Sequence, residues 1–348
     1  MFSRGEPAAE ANSTCNILRI TDFSRDDWQY VLEEAVRSTS HRLYVLLQGP
    51  DLPASASAKL LEDIAEVLKP VANSKPRLDV VPLLPFAGWS EGQVANLTDL
   101  RGVFLDSNDT KVGTSYLQSL IKLRGETLPP LQGVELSARQ LKAAPPNTQD
   151  GKPCSAEGEH ASLRIDAHPQ SSLAFDHVAV GGTFDRLHVG HRLLLAATAL
   201  ICKQRVYVGV TGDKLLEKKK HFELLEPYDQ RATAAASYLK SVRPALSVQT
   251  GALLDPKEPT AAATEEGMQA LVVSKETISG GETINQYRRE HGFAPLELVV
   301  VDLVDDSAAV EGGKVSSTAL REQDAAALCS RAADVAKHSE KNDPPESS

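Results

Sequence analysis

Long apolar runs, paired cysteines and a basic surplus are all scarce in this 348-residue chain, and each shortage removes a class of answer. The longest apolar runs, such as Leu298 to Val301, are far too short to cross a bilayer, so no membrane association is expected. The N-terminus carries Glu6 and Glu10 and has no apolar stretch, which argues against a secretory leader. The 4 cysteines, Cys15, Cys154, Cys202 and Cys329, are scattered. None pairs at metal-ligand spacing, which predicts reduced thiols in a cytoplasmic protein and no resident metal site. The net charge of -10 argues against nucleic-acid binding, which needs an extended positive face.

What is present is the composition of a folded protein: 41% apolar and 24% charged residues. The length exceeds one ordinary domain, and two are expected. Residues 1–14 are small and polar and read as disordered. Strand-like segments at Asn16–Thr21, Arg42–Gln48, Leu78–Leu84 and Gly102–Leu105 alternate with helical spacing over Asp27–Val36 and Ala58–Leu68, and Ser57 is placed to cap the latter. This predicts a smaller α/β domain over 15–142, with no glycine loop and no catalytic constellation. Pro145, Pro146, Pro153 and the acidic Glu157-Gly158-Glu159 run mark 143–173 as a linker. A second unit over 174–325 alternates strands at Val178–Val180, Val206–Val210, Leu246–Leu254, Leu271–Ser274 and Leu296–Val304 with helices at His191–Leu200, Pro227–Leu239 and Thr283–His291. About five strands separated by helices predict a doubly wound parallel sheet. Residues 326–348 read as a disordered tail, and no internal sequence repeat is visible.

Three features in the second unit bear on chemistry. The first is Gly181-Gly182-Thr183-Phe184-Asp185-Arg186-Leu187-His188-Val189-Gly190-His191. It leaves a strand and opens a helix, the context in which a phosphate meets close-approaching backbone and free N–H groups at the helix start. The helix dipole there favours an anion by about 0.3–1 kcal/mol. Taken alone, His188-Val189-Gly190-His191 reads better as an ordinary turn with an incidental helix cap, and its placement between strand and helix is what points to a phosphate. The second is Gly312-Gly313-Lys314-Val315-Ser316-Ser317-Thr318-Ala319-Leu320-Arg321. It is not a P-loop, because Val315 follows Lys314. Its hydroxyls at a helix start, with Arg321 a turn later, suit a triphosphate, although a plain serine cap reads the same way. The third is the cluster Lys214, Lys218, Lys219 and Lys220, which follows the second strand on the side where ligands bind.

Together and in this order, these features resemble the eukaryotic and archaeal type of pantetheine-phosphate adenylyltransferase, a branch of the nucleotidyltransferase superfamily that also forms one half of the bifunctional coenzyme A synthase of animals. The resemblance runs from about Asp176 to Gln323. It includes Val208-Gly209-Val210-Thr211, Leu215-Leu216, Glu223 to Pro227, Arg231, Asp255-Pro256, Leu271 to Ser274, Glu276-Thr277, Gly280-Gly281, Asn285 and Arg288. Two departures stand out: Lys257-Glu258 where the family commonly has Phe-Gly, and Lys275 where an acid is common. The first 150 residues resemble, more weakly, the α/β region that precedes this domain in fungal and animal relatives. No Walker motif is present, so no dephospho-coenzyme A kinase domain is expected.

The resemblance implies a Rossmann-like nucleotidyltransferase fold and transfer of an adenylyl group from ATP to 4'-phosphopantetheine, with Mg2+ accompanying ATP. It implies catalytic roles for His191, His188 and Lys219. ATP would be held by Gly181, Gly182, Thr183, Phe184, Gly190, His191, Ser316, Ser317, Thr318 and Arg321. The acceptor would meet Thr183, Lys219, Lys220 and Arg288. Other enzymes of coenzyme A biosynthesis are the implied protein partners. A nucleotidyltransferase with another phosphate acceptor, or a non-catalytic nucleotide-binding scaffold, remains an alternative.

Overall fold

The computed structural model describes residues 14–21, 28–49, 52–105, 110–136, 172–301 and 316–340. Two five-stranded parallel sheets form its frame. The first contains β1 (Cys15–Ile20), β2 (Arg42–Leu47), β3 (Asp79–Leu83), β4 (Gly102–Leu105) and β5 (Gln132–Glu135), joined through α1 (Trp28–Ser38), α2 (Ala58–Ser74), α3 (Glu91–Ala95) and α4 (Thr110–Leu123). The second contains β6 (Phe175–Gly182), β7 (Cys202–Thr211), β8 (Ser247–Leu253), β9 (Ala270–Val273) and β10 (Glu297–Val300), joined through α5 (Val189–Ile201), α6 (Tyr228–Val242), α7 (Ala261–Thr264) and α8 (Ile278–Glu290). A last helix, α9, runs over Ser317–Glu340.

Strand order is β3-β2-β1-β4-β5 in one sheet and, read from the opposite edge, β8-β7-β6-β9-β10 in the other. The two units therefore share one doubly wound topology, although no sequence repeat betrays it. Parallel neighbours need long crossovers, and helices on both faces bury the central strands completely. That is why Leu43–Leu47 and Val178–Val180 are continuous buried runs rather than alternating ones. In each sheet the chain reverses its winding beside the first strand, between β1 and β4 and between β6 and β9.

The units share one large apolar cluster, and a second, smaller one around Leu271, Val273 and Met268 lies within the second unit. Helix α2 lies against α5, and β3 lies against α5 and α6. Buried polar groups at this junction are matched: Tyr238 Oη donates to Val80 O at 2.7 Å and Trp89 Nε1 donates to Val242 O at 2.8 Å. The chain enters the second unit already docked on the first, with Leu173 N donating to Ala56 O at 2.8 Å.

Several boundaries differ from the sequence reading. Ser57 caps α2 as expected, accepting from Leu60 N at 3.2 Å. The reading omitted α3, α4, β5 and α7. Helix α8 starts at Ile278 and so includes Gly280 and Gly281, because Gly281 is buried beneath Leu298 and the packing offsets a propensity cost of about 1 kcal/mol. Helix α9 continues through 326–340, where the sequence reading expects a tail; its alanines (Ala325, Ala326, Ala327, Ala332, Ala333, Ala336) have the highest helix propensity. Residues 1–13, 137–171 and 341–348 lie outside the described residues, and with them nearly all of the expected N-terminal disordered segment and linker.

Candidate active site

The segment after β6 emerges at the carboxyl end of the sheet, beside the switch point where ligands of such sheets bind. Phe184 (φ 53°) and Arg186 (φ 46°) both occupy the left-handed region, which non-glycine residues rarely adopt. Two such residues in three positions cost a few kcal/mol unless their surroundings hold them. The holding is visible. Phe184 is fully buried. Its ring fills the space a Cβ on Gly182 would need, with ring atoms 3.1–3.3 Å from that position. Gly182 thus makes room for a prop under the loop, and the Phe184 side chain, expected at ATP, faces inward.

Asp185 between them is also fully buried, and its carboxylate is saturated. It accepts from Glu226 N at 3.1 Å, from Arg186 Nη1 at 3.1 Å and from the buried Arg321 guanidinium. Its carbonyl accepts from Ser317 Oγ at 2.8 Å. Arg321 further donates to Lys220 O at 3.1 Å and to Thr318 Oγ1 at 3.1 Å. Ser316 caps α9, accepting from Ala319 N at 3.2 Å. The 316–321 segment is therefore locked onto the 183–186 loop, and the two separate sequence features become one structure. Gly312 to Val315 lie outside the described residues.

His188 caps α5: its Nδ1 accepts from Gly190 N at 3.2 Å, which assigns the proton to Nε2. Gly190 permits this, since a Cβ there would lie 3.1 Å from the His188 ring. The His188 and His191 rings stack at 4.0 Å between centroids. His191 Nδ1 is buried without a hydrogen-bond partner. Burial, followed by the charges of His188, Arg192 and Lys219, holds the His191 pKa well below the usual histidine value, so the ring is neutral at pH 7.

Lys219 Nζ donates to Thr183 Oγ1 at 3.4 Å. Partial burial and then the neighbouring Arg321 lower its pKa. Lys220 turns away and pairs with Glu322 at 2.6 Å. Among the described residues no three His, Cys, Asp or Glu side chains group to hold a metal ion.

Arg288 lies elsewhere than expected, and Arg231, which had no expected role, enters the site. Arg288, expected at the acceptor, is fully buried between α8 and α7. Its guanidinium donates to the carbonyls of Ala294, Ala262, Glu265, Glu266 and Met268 at 2.7–3.3 Å, which leaves it no donor for a ligand. Conversely, Arg231 does shape the site. It is fully buried and donates to Thr183 O at 2.5 Å, Thr211 O at 2.8 Å, Glu226 O at 2.9 Å and Asp213 Oδ1 at 2.7 Å, tying the Thr183 loop to the end of β7 and to Glu226. Its motif position was legible; its task was not, because backbone carbonyls carry no sequence signal.

Residues 179–323 match the family model described as cytidylyltransferase-like. A yeast (Saccharomyces cerevisiae) protein named phosphopantetheine adenylyltransferase is 42% identical over 44% of this chain and 50% of its own length. The match thus spans about half of that relative. The phosphopantetheine adenylyltransferases of Methanopyrus kandleri and Pyrococcus horikoshii are 40% and 33% identical, each over 42% of this chain and 89% of their own length. With nearly the whole of each archaeal relative represented in its second unit, the chain belongs to the phosphopantetheine adenylyltransferase family of nucleotidyltransferases.

Proposed function

We propose that the chain transfers the adenylyl group of ATP to 4'-phosphopantetheine, giving dephospho-coenzyme A and pyrophosphate. The observation that carries this reading is the juxtaposition of the stacked His188–His191 pair at the start of α5 with Lys219 at Thr183. These groups offer N–H donors and a cation around one point at a helix N-terminus, as a phosphoryl centre requires.

In the proposed step an acceptor phosphate oxygen attacks the ATP α-phosphorus in line. One P–O bond forms to the acceptor, the bond to the β-phosphate bridge breaks, and pyrophosphate leaves with the electron pair. No protein nucleophile is needed; positioning and charge stabilisation do the catalysis. His191 meets the α-phosphate, and His188 Nε2–H meets an adjacent triphosphate oxygen. Gly181, Gly182, Thr183 and Gly190 supply close-lying backbone. Ser316, Ser317 and Thr318 border the β- and γ-phosphates, and Arg321, expected there as well, is buried against Asp185 and holds their segment in place. Thr183 and Lys219 hold the attacking phosphate, and Lys220 neutralises the field from further out. Mg2+ would accompany ATP and supply charge neutralisation on the triphosphate, beside the hydroxyls of Thr183, Ser316 and Thr318. Residues 174–325 act as the catalytic domain, and 15–142 form a distinct N-terminal domain joined through 143–173. The reading places the reaction in the cytoplasm, where Cys15, Cys202 and Cys329 stay reduced.

The test is an acceptor panel with ATP, Mg2+ and pyrophosphate detection. Turnover with 4'-phosphopantetheine well above other phosphate monoesters is expected. His191→Ala should lower kcat by about 10²–10³-fold, as loss of a transition-state donor does. Lys219→Ala should raise KM for the acceptor much more than Lys220→Ala. A preference for a different acceptor, or ATP binding without turnover, would sink the reading.

A further inference from the structure

The loop bearing both histidines is held by the first unit as well as by its own. Arg192, the residue after His191, has a side chain only 7% exposed. Its Nε donates to Asp79 Oδ1 at 3.1 Å and its Nη1 to Pro76 O at 3.4 Å. Asp79 opens β3 of the first unit, and its second oxygen accepts from Arg42 Nε at 2.7 Å. At the other end of the motif, Arg186 Nε donates to Asp324 Oδ2 at 2.8 Å, and Arg77 of the first unit pairs with the same carboxylate. One short segment, Arg77 to Asp79, thus reaches both ends of 186–192. Between them lies a cleft of about 390 Å³ lined by Arg42, Arg77, Asp79, Arg186, Arg192 and Tyr238.

These two ties differ in weight. The Arg77 side chain is 58% exposed, and an exposed ion pair contributes little. Arg192 is buried, and a buried guanidinium cannot keep its place once its carboxylate is gone. The neighbouring cleft offers it room to swing toward water. Arg192 lies in the first turn of α5, so a swing that repacks this turn carries to the adjacent His191.

We propose that Asp79 is a positioning residue for the transfer reaction, acting on His191 through Arg192, and that the first unit is therefore a working part of the active site. The inference rests on the reading of His191 as the group that meets the α-phosphate.

The experiment uses the full chain. Asp79→Asn should lower kcat about ten- to a hundredfold, the scale set by displacing a catalytic group by ~1 Å, with KM for ATP changed less than about threefold. Arg192→Lys, which keeps the charge but loses the planar fork, should move kcat in the same direction and reads the same contact if Asp79→Asn does not fold. Trp89→Phe, which removes a junction hydrogen bond away from the motif, should lower Tm and leave kcat unchanged. The imidazole NMR resonances of His191 should shift in Asp79→Asn without any substrate. Wild-type kcat in both Asp79→Asn and Arg192→Lys overturns the inference, as do unchanged His191 resonances or an equal loss in Trp89→Phe. Wild-type protein inactive toward every acceptor overturns the reading of function instead, and the NMR result still decides the position of His191.

Discussion

His191 combines a neutral ring, a buried Nδ1 without a partner and a stacked histidine neighbour. Its depressed pKa has a stability consequence with a definite sign. Above the usual value near 6.5, both folded and unfolded chains carry a neutral ring, and the group contributes no pH dependence. Below it, the unfolded chain takes up a proton that the folded chain refuses, so stability falls as pH drops from about 6.5 toward the folded value. Denaturant unfolding of the ligand-free protein between pH 7.5 and 5 should show this loss, and His191→Ala should flatten part of the slope while His177, whose pKa burial also lowers, keeps its own share in both proteins. Identical slopes in the two proteins would mean that the ring is not buried as described. The residue types at this site were legible only through their placement, since Gly-Gly-Thr after a strand and two histidines opening a helix fit a phosphate site, whereas the histidines alone read as a turn. The reasons for the glycines were not: Gly182 yields to the Phe184 ring and Gly190 to the His188 ring, contacts set by side-chain direction rather than by spacing.

Among the elements, helix α8 carries the clearest departure from the sequence reading. Arg288 looks from its motif like an anion binder, yet it is spent on five carbonyls between α8, α7 and the following loop. Truncating it to Met should leave buried acceptors unpaired and cost about 3 kcal/mol or more, because each orphaned group loses about 1–3 kcal/mol. KM for ATP and for the acceptor should stay within about twofold. A large rise in either KM with unchanged unfolding would return Arg288 to the ligand. Strands in the sheet centres were readable because burial on both faces writes continuous apolar runs. The short edge strand β5, with residues mostly exposed, wrote no such run.

Across the whole molecule, two units of one topology share a single buried cluster, so neither keeps its surface apolar-free when the other leaves. Calorimetry of the full chain should therefore give one cooperative transition, with calorimetric and van't Hoff enthalpies in agreement. Two resolved transitions would show the junction to be weaker than its packing and its buried Tyr238 and Trp89 hydrogen bonds require. The alternation of strand and helix, the sheet class and the place of the phosphate motif were determined by the sequence itself, since local periodicity and backbone punctuation are carried by neighbouring residues. The shared strand order of the two units, the locking of Arg321 onto Asp185 and the reach of Asp79 to Arg192 were decided only in three dimensions. Each joins residues more than a hundred positions apart or depends on which strands become neighbours, and no local pattern records that choice.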